Sequence, residues 1–176
     1  MVLNEETANE ISFVAPDTGR RLTTSEKWRF AAGFALFSLL WMTAGTSGSQ
    51  VLLPQRFTDM GIGVPEVILG TMNSVGCVFA LVANIVFGAL SDITRSRFGK
   101  RAPWIVLGGL ITAGGYLVSA NSLTVIGIVA GWSVVQIGVN MMIAPAVAVL
   151  SDRIPEGTRG LFSAFYCGAQ IVGQLA

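Results

Sequence analysis

Asp92 is followed within nine residues by Arg95, Arg97, Lys100 and Arg101, with Gly88 one helical turn before it and Gly99 and Pro103 after it. A carboxylate facing several cations can make and break charge-assisted hydrogen bonds, which is latching chemistry rather than bond-breaking chemistry. A second charged turn repeats the arrangement with Asp152, Arg153, Glu156 and Arg159. A third set is neutral. Trp41, Thr43, Ser47 and Gln50 sit close together, with the last three at i, i+4 and i+7; Asn73 and Asn84 are three helical turns apart; Gln136 and Asn140 are i, i+4; and Tyr166, Gln170 and Gln174 form a further stripe. With no histidine, the chain lacks the commonest general base near neutral pH and the usual ligand of catalytic zinc. Cys77 and Cys167, far apart in apolar surroundings, read as small buried hydrophobes. The composition implies no metal, no cofactor and no enzyme activity.

The elements that must hold these residues follow from charge. Only 12% of the 176 residues are charged, against about 25% in a soluble domain. Residues 30–55, 67–91, 102–151 and 160–176 carry no Asp, Glu, Lys or Arg at all. A largely apolar run of about 20 residues spans the hydrocarbon of a bilayer as a helix. The long central run is interrupted only by Ser119-Ala120-Asn121-Ser122. The fold class expected is therefore an all-α integral membrane protein with five spans, at about 30–53, 65–90, 103–118, 123–150 and 160–176. The first is closed by Pro54 and Arg56, and residues 1–29 form a polar cytoplasmic tail. Because the fifth run reaches Ala176 with no charged anchor, the sequence is expected to be part of a longer polypeptide. These runs exclude a soluble enzyme and a secreted disulfide scaffold. With the N-terminus cytoplasmic, Lys and Arg cluster in the tail and the two charged loops, and Arg56 stands alone on the other side, which satisfies the positive-inside rule.

An acid at a helix C-terminus opposes the helix dipole by about 0.3–1 kcal/mol, so Asp92 needs a cationic partner or a neighbouring helix N-terminus. The run Gly88-Ala-Leu-Ser-Asp92-Ile-Thr-Arg95-Ser-Arg97-Phe-Gly99-Lys100-Arg101-Ala-Pro103 resembles the loop between the second and third helices of the major facilitator superfamily. Its longer form is similar to the sucrose-type transporters and the glycoside–pentoside–hexuronide symporters. That resemblance implies twelve helices in two six-helix halves, with substrate between the halves near the midplane. This chain would supply most of the first half, and the missing C-terminal half would be its partner. Gly88, Asp92, Arg95, Arg97, Gly99, Lys100 and Arg101 would then form a conformational gate, and Asp152, Arg153, Glu156 and Arg159 a second cytoplasmic latch. The chain departs from the pattern twice: Ser133 stands where many members carry Arg ahead of Gln136-Ile137-Gly138, and spans two and four hold no acid.

Polar residues are costly in lipid and tend to face a bundle interior or water. Trp41, Thr43, Ser47, Gln50, Asn73, Gln136, Asn140, Tyr166 and Gln170 are therefore candidates for a substrate cavity, because amides and hydroxyls beside aromatic rings suit the hydroxyls and apolar faces of a sugar. The same groups also serve as helix-to-helix bonds. Gly127 and Gly131 as a GxxxG, with Gly108, Gly109, Gly114 and Gly115, read as helix contacts. The function expected is a secondary transporter of the plasma membrane, working by alternating access on a sugar or similar neutral solute. Its partners are the lipid bilayer and that solute, with a proton or sodium ion as candidate coupling cation and no nucleic acid. A drug or metabolite exporter, and a non-transporting scaffold or sensor, are the alternatives.

Overall fold

The computed structural model describes residues 14–16, 19–97 and 99–175. Residues 1–13 and 17–18 of the expected tail, and Ala176 at the end of the expected fifth span, lie outside the described residues. The regular structure among them is helical, beside one isolated bridge between Val14 and Arg21.

Helix α1 (Thr24–Thr46) begins earlier than the uncharged run because its first turn is capped. Thr23 accepts from the Glu26 N–H, and the Glu26 carboxylate accepts from the Thr23 N–H at 2.9 Å, a capping box. Arg20 also binds that carboxylate, and with the two Thr23 bonds it holds Glu26 well below the ordinary range, at about 2. The sequence closes the first span at Pro54 and Arg56; the helix instead continues through a π-turn, Ser47–Leu52, into α2 (Leu53–Asp59). Proline has no N–H to donate and fits a helix best in its first turn. The wider turn resets the helix so that Pro54 falls at such a start.

Four further helices follow: α3 (Pro65–Ile93), α4 (Ala102–Asn121), α5 (Val125–Arg153) and α6 (Glu156–Leu175). The uncharged central run does break near Asn121. Asn121 and Ser122 donate to the carbonyls of Leu117 and Val118, ending α4, and Thr124 accepts from the Gly127 N–H, starting α5. Thr24–Asp59, α3, α4 and α5 are long and apolar enough to cross a membrane; α6, with its amides, falls outside that group.

The chain divides into two compact units, one running to Gly48 and resuming at Val149, the other Ser49–Ala148. In the first, α6 packs on α1. Gly173 lies so close to α1 that a Cβ there would stand 2.6 Å from the Leu39 carbonyl. Phe34 meets Tyr166, and Trp28 meets Phe165, in edge contacts. Ala31, Ile154 and Phe162 form its core.

In the second unit the tightest seam joins α4 to α5. A Cβ on Gly108 would sit 2.7 Å from the Gly138 carbonyl, and one on Gly115 would sit 2.9 Å from the Gly131 carbonyl. The pairing is antiparallel with glycines seven apart on each helix, so the partner of Gly131 along α5 is Gly138 and not Gly127. Gly127 meets only Ser122 and Thr124 of its own turn, and Gly114 meets nothing within 4 Å. A spacing of seven, two helical turns, keeps both glycines of each helix on one face. Buried positions in α3 and α4 are mainly small (Gly76, Ala83, Ser91, Gly108, Gly115, Ser119), while Leu81, Ile85, Leu110 and Leu117 are exposed. Small residues inside and large apolar ones outside suit helices solvated by lipid. Cys77 and Cys167 belong to that outer surface, free and exposed rather than buried. The protein is an all-α integral membrane protein.

Two outcomes are expected. Gly115→Leu lowers thermal stability in detergent, at a cost on the order of 3 kcal/mol, while Gly114→Leu is close to neutral; equal effects would refute the seam. In an NMR titration the Glu26 carboxyl protonates near the value of about 2 given above, and Arg20→Gln moves its midpoint up. Because the folded value is depressed, the cap's contribution is present above the unfolded glutamate range and is lost as pH falls towards that midpoint.

Candidate functional site

The loop joining α3 to α4 is clamped at both ends. Arg101, the residue capping the start of α4, reaches back to the C-terminal end of α3, where it meets the Asp92 carboxylate at 2.7 Å and donates to the Ser91 hydroxyl at 2.7 Å. One turn further on, the Trp104 indole donates to the Thr94 hydroxyl, which itself donates to the Leu90 carbonyl. The Trp104 ring packs on Phe87 at 5.6 Å. Each clamp spans ten residues of sequence, and the turn between them needs Gly99, whose φ of +89° is a left-handed conformation that other residues adopt only under strain. The Gly99 N–H closes that turn on the Ser96 carbonyl. Exposure divides the ion pair unequally: the Arg101 side chain is 10% exposed and that of Asp92 is 60% exposed. Arg95, Arg97 and Lys100 lie exposed on the loop surface. Gly88 faces Ala144 of α5, so this end of α3 is also a helix contact.

In the turn between α5 and α6, Arg159 donates to the carbonyls of Ser151 and Ile154 and meets Glu156 at 3.4 Å. As a cation at the start of α6 it opposes that helix's dipole. It resolves the conflict by turning back to the last carbonyls of α5, where a positive charge is favoured. Its partners here are these carbonyls and Glu156. Asp152 and Arg153 end α5, each with interactions of its own.

The neutral residues fall into separate groups. In the first unit the Trp41 and Gln170 side chains stand beside the Tyr166 hydroxyl. The Trp41 N–H is not aligned to donate to it: Trp41 Nε1 and Thr43 Oγ1 are both buried without a hydrogen-bond partner among the described residues. Ser47 opens the π-turn, and Gln50, exposed within it, belongs to the second unit. In the second unit Asn84 donates to Asn140 at 3.3 Å, and Asn140 donates to the Gln136 carbonyl. Asn140 thus ties α3 to α5. Asn73 is exposed on α3.

Two residues outside this set carry unsatisfied polar atoms. Trp132, 4% exposed, buries its Nε1 with no partner, and Arg56 donates to the Ser122 carbonyl at 3.2 Å while its Nε is buried and unpaired. A buried donor without a partner costs about 1–3 kcal/mol. Trp132 was legible only as one more apolar residue of an uncharged run. A groove of about 500 Å³ between α3 and α5 is lined by Phe79, Val129, Val134, Ile137 and other apolar side chains. Its Ser133 hydroxyl is bonded to the Val129 carbonyl of its own helix, so no polar group converges there.

Residues 30–169 match the family described as MFS/sugar transport protein. An uncharacterized symporter of Synechocystis (sll1374) is 43% identical over 54 residues, 31% of this chain and 10% of the relative. The inner membrane symporter YicJ of Escherichia coli is 39% identical over 91 residues, 51% of this chain and 18% of the relative. The chain therefore matches less than a fifth of either relative's length. No solved structure matches it significantly.

Substituting Arg101 tests the clamp. A lysine keeps the charge but cannot hold Ser91 and Asp92 in one planar fork. Tryptic cleavage after Arg95 and Arg97 is expected to accelerate several-fold in Arg101→Ala, less in Arg101→Lys, with the membrane-embedded helices still protected. Unchanged cleavage in Arg101→Ala would show that the clamp does not order the loop.

Proposed function

The chain belongs to the MFS/sugar transport protein family and is a piece of transport machinery; from that premise we propose that it acts in a secondary carrier that moves a sugar or similar small neutral solute by alternating access. The observation that carries the solute class is the group on α1 and α6. There an indole N–H and a hydroxyl, buried and unpaired, stand with a phenol and an amide, in a chain whose uncharged runs place no ionised group in the interior of a span. Donors without partners, next to aromatic rings, suit hydroxyl-bearing rings.

The α3–α4 loop is the gate in this reading. Asp92 keeps one side of its carboxylate open to a second partner while Arg101 holds the other, so the loop can engage the opposing half of the carrier in one state and release it in the next. Asp152, Arg153, Glu156 and Arg159 act at the same membrane face. The carrier lies in the plasma membrane with the N-terminus and both charged loops cytoplasmic. It is built from two six-helix halves, of which α1–α6 are most of the first, with α6 as the fifth span. Both relatives are named symporters, and a proton or sodium ion is proposed as the coupled cation. The uncharged runs of α3 and α5 hold no Asp or Glu, so the group that senses the cation is not a carboxylate in the interior of these helices.

Uptake of labelled monosaccharides and glycosides into proteoliposomes bearing the protein tests the reading, with sugar counterflow as the signature of a carrier. Dye efflux without sugar counterflow would replace it with an exporter. Asp92→Asn is expected to lower uptake by about tenfold or more, the scale of a typical coupling between sites, with membrane insertion unchanged. Wild-type uptake by that variant would remove the gate.

A further inference from the structure

We infer that the indole N–H of Trp132 is a donor reserved for an oxygen atom of the transported solute, in a subsite formed with Gln136 at the notch left by Gly76; the inference rests on the carrier reading above. Trp132 and Gln136 are one helical turn apart on α5 and both point at the same spot on α3. A Cβ built on Gly76 would stand 3.4 Å from Trp132 Nε1, 3.1 Å from Gln136 Cγ and 3.6 Å from Gln136 Nε2. Trp132 Nε1 is buried with no hydrogen-bond partner among the described residues. Tyr116 packs edge-on against the Trp132 ring at 6.3 Å, which fixes the direction of the N–H.

An indole nitrogen can only donate. No described residue accepts from it, although two turns along the same pair of helices Asn84 donates to Asn140. Purely structural packing would favour a ring without the stranded donor. The first unit holds the same combination independently, with Trp41 unpaired near Gln170. In this conformation the α3 backbone lies over the notch. The ligand that fits is a polyhydroxylated ring that offers an acceptor oxygen to the indole and accepts or donates at the amide, once α3 and α5 part at Gly76.

The experiment takes the labelled sugar that the wild-type protein transports best, with its series of deoxy analogues as competitors in proteoliposome uptake. Trp132→Phe keeps a ring and removes the donor. It is expected to raise the half-saturation concentration for that sugar by about tenfold, and to abolish the penalty that wild type shows for one deoxy position. Gly76→Ala, which fills the notch and leaves the indole in place, is expected to weaken uptake with the same loss of discrimination. If Trp132→Phe alters uptake but still discriminates against every deoxy analogue as wild type does, or alters nothing, Trp132 is a packing residue and the inference is overturned. If wild type takes up no sugar in any form, the carrier reading itself falls, and the subsite with it.

Discussion

Every helix end in this chain has to satisfy backbone carbonyls that the helix itself leaves open. The solutions recur. At the end of α3 the hydroxyls of Ser91 and Thr94 bond the carbonyls of Gly88 and Leu90. At the end of α4 Asn121 and Ser122 do the same, and Arg56 takes the carbonyl of Ser122. At the end of α5 Arg159 takes two carbonyls at once. Two arginines, Arg56 and Arg159, thus stand where the negative ends of helices need them, and that requirement puts charge in the turns and keeps it out of the runs between.

With the backbone satisfied at the ends, packing between helices is left to shape. Lipid is as apolar as leucine, so leucine gains little by turning inward, and close contact comes from residues with little or no side chain. Gly108 and Gly115 against Gly138 and Gly131, and Gly173 against α1, are that contact. Polar side chains within the spans then divide by what remains open to them. Asn84 and Asn140 spend themselves on each other, and Ser133 and Thr112 on their own helices. Those left unpaired, on α1 and on α5, are the ones on which the proposed solute contacts rest.

Helix positions and the all-α membrane class were legible because they depend on where charge is absent, which is visible residue by residue. The break at Asn121 was legible for the same reason, since a lone polar cluster in an apolar run has only one use. What escaped depended on three-dimensional register. The run through Pro54 hinges on a π-turn that no composition announces. The glycine seam depends on two helices meeting antiparallel, which chose Gly138 over Gly127. Arg159 reads as misplaced at the start of α6 until the chain is folded back onto α5. Trp132 carries no signal at all in sequence, because its interest lies in having no partner.

The unequal burial of the Asp92–Arg101 pair bears on how a gate here could move. An exposed ion pair contributes little, about 0–1 kcal/mol, and breaking a fully buried one leaves a stranded charge at considerable cost. This pair is neither. Arg101 is buried but also held by Ser91, and Asp92 is open on its outer side. The carboxylate can therefore turn towards another partner while the guanidinium keeps a hydrogen bond in place, so neither charge has to cross an unpaired state. In the proposed carrier, such a loop would exchange partners between two arrangements, and a difference in solute binding would decide between them.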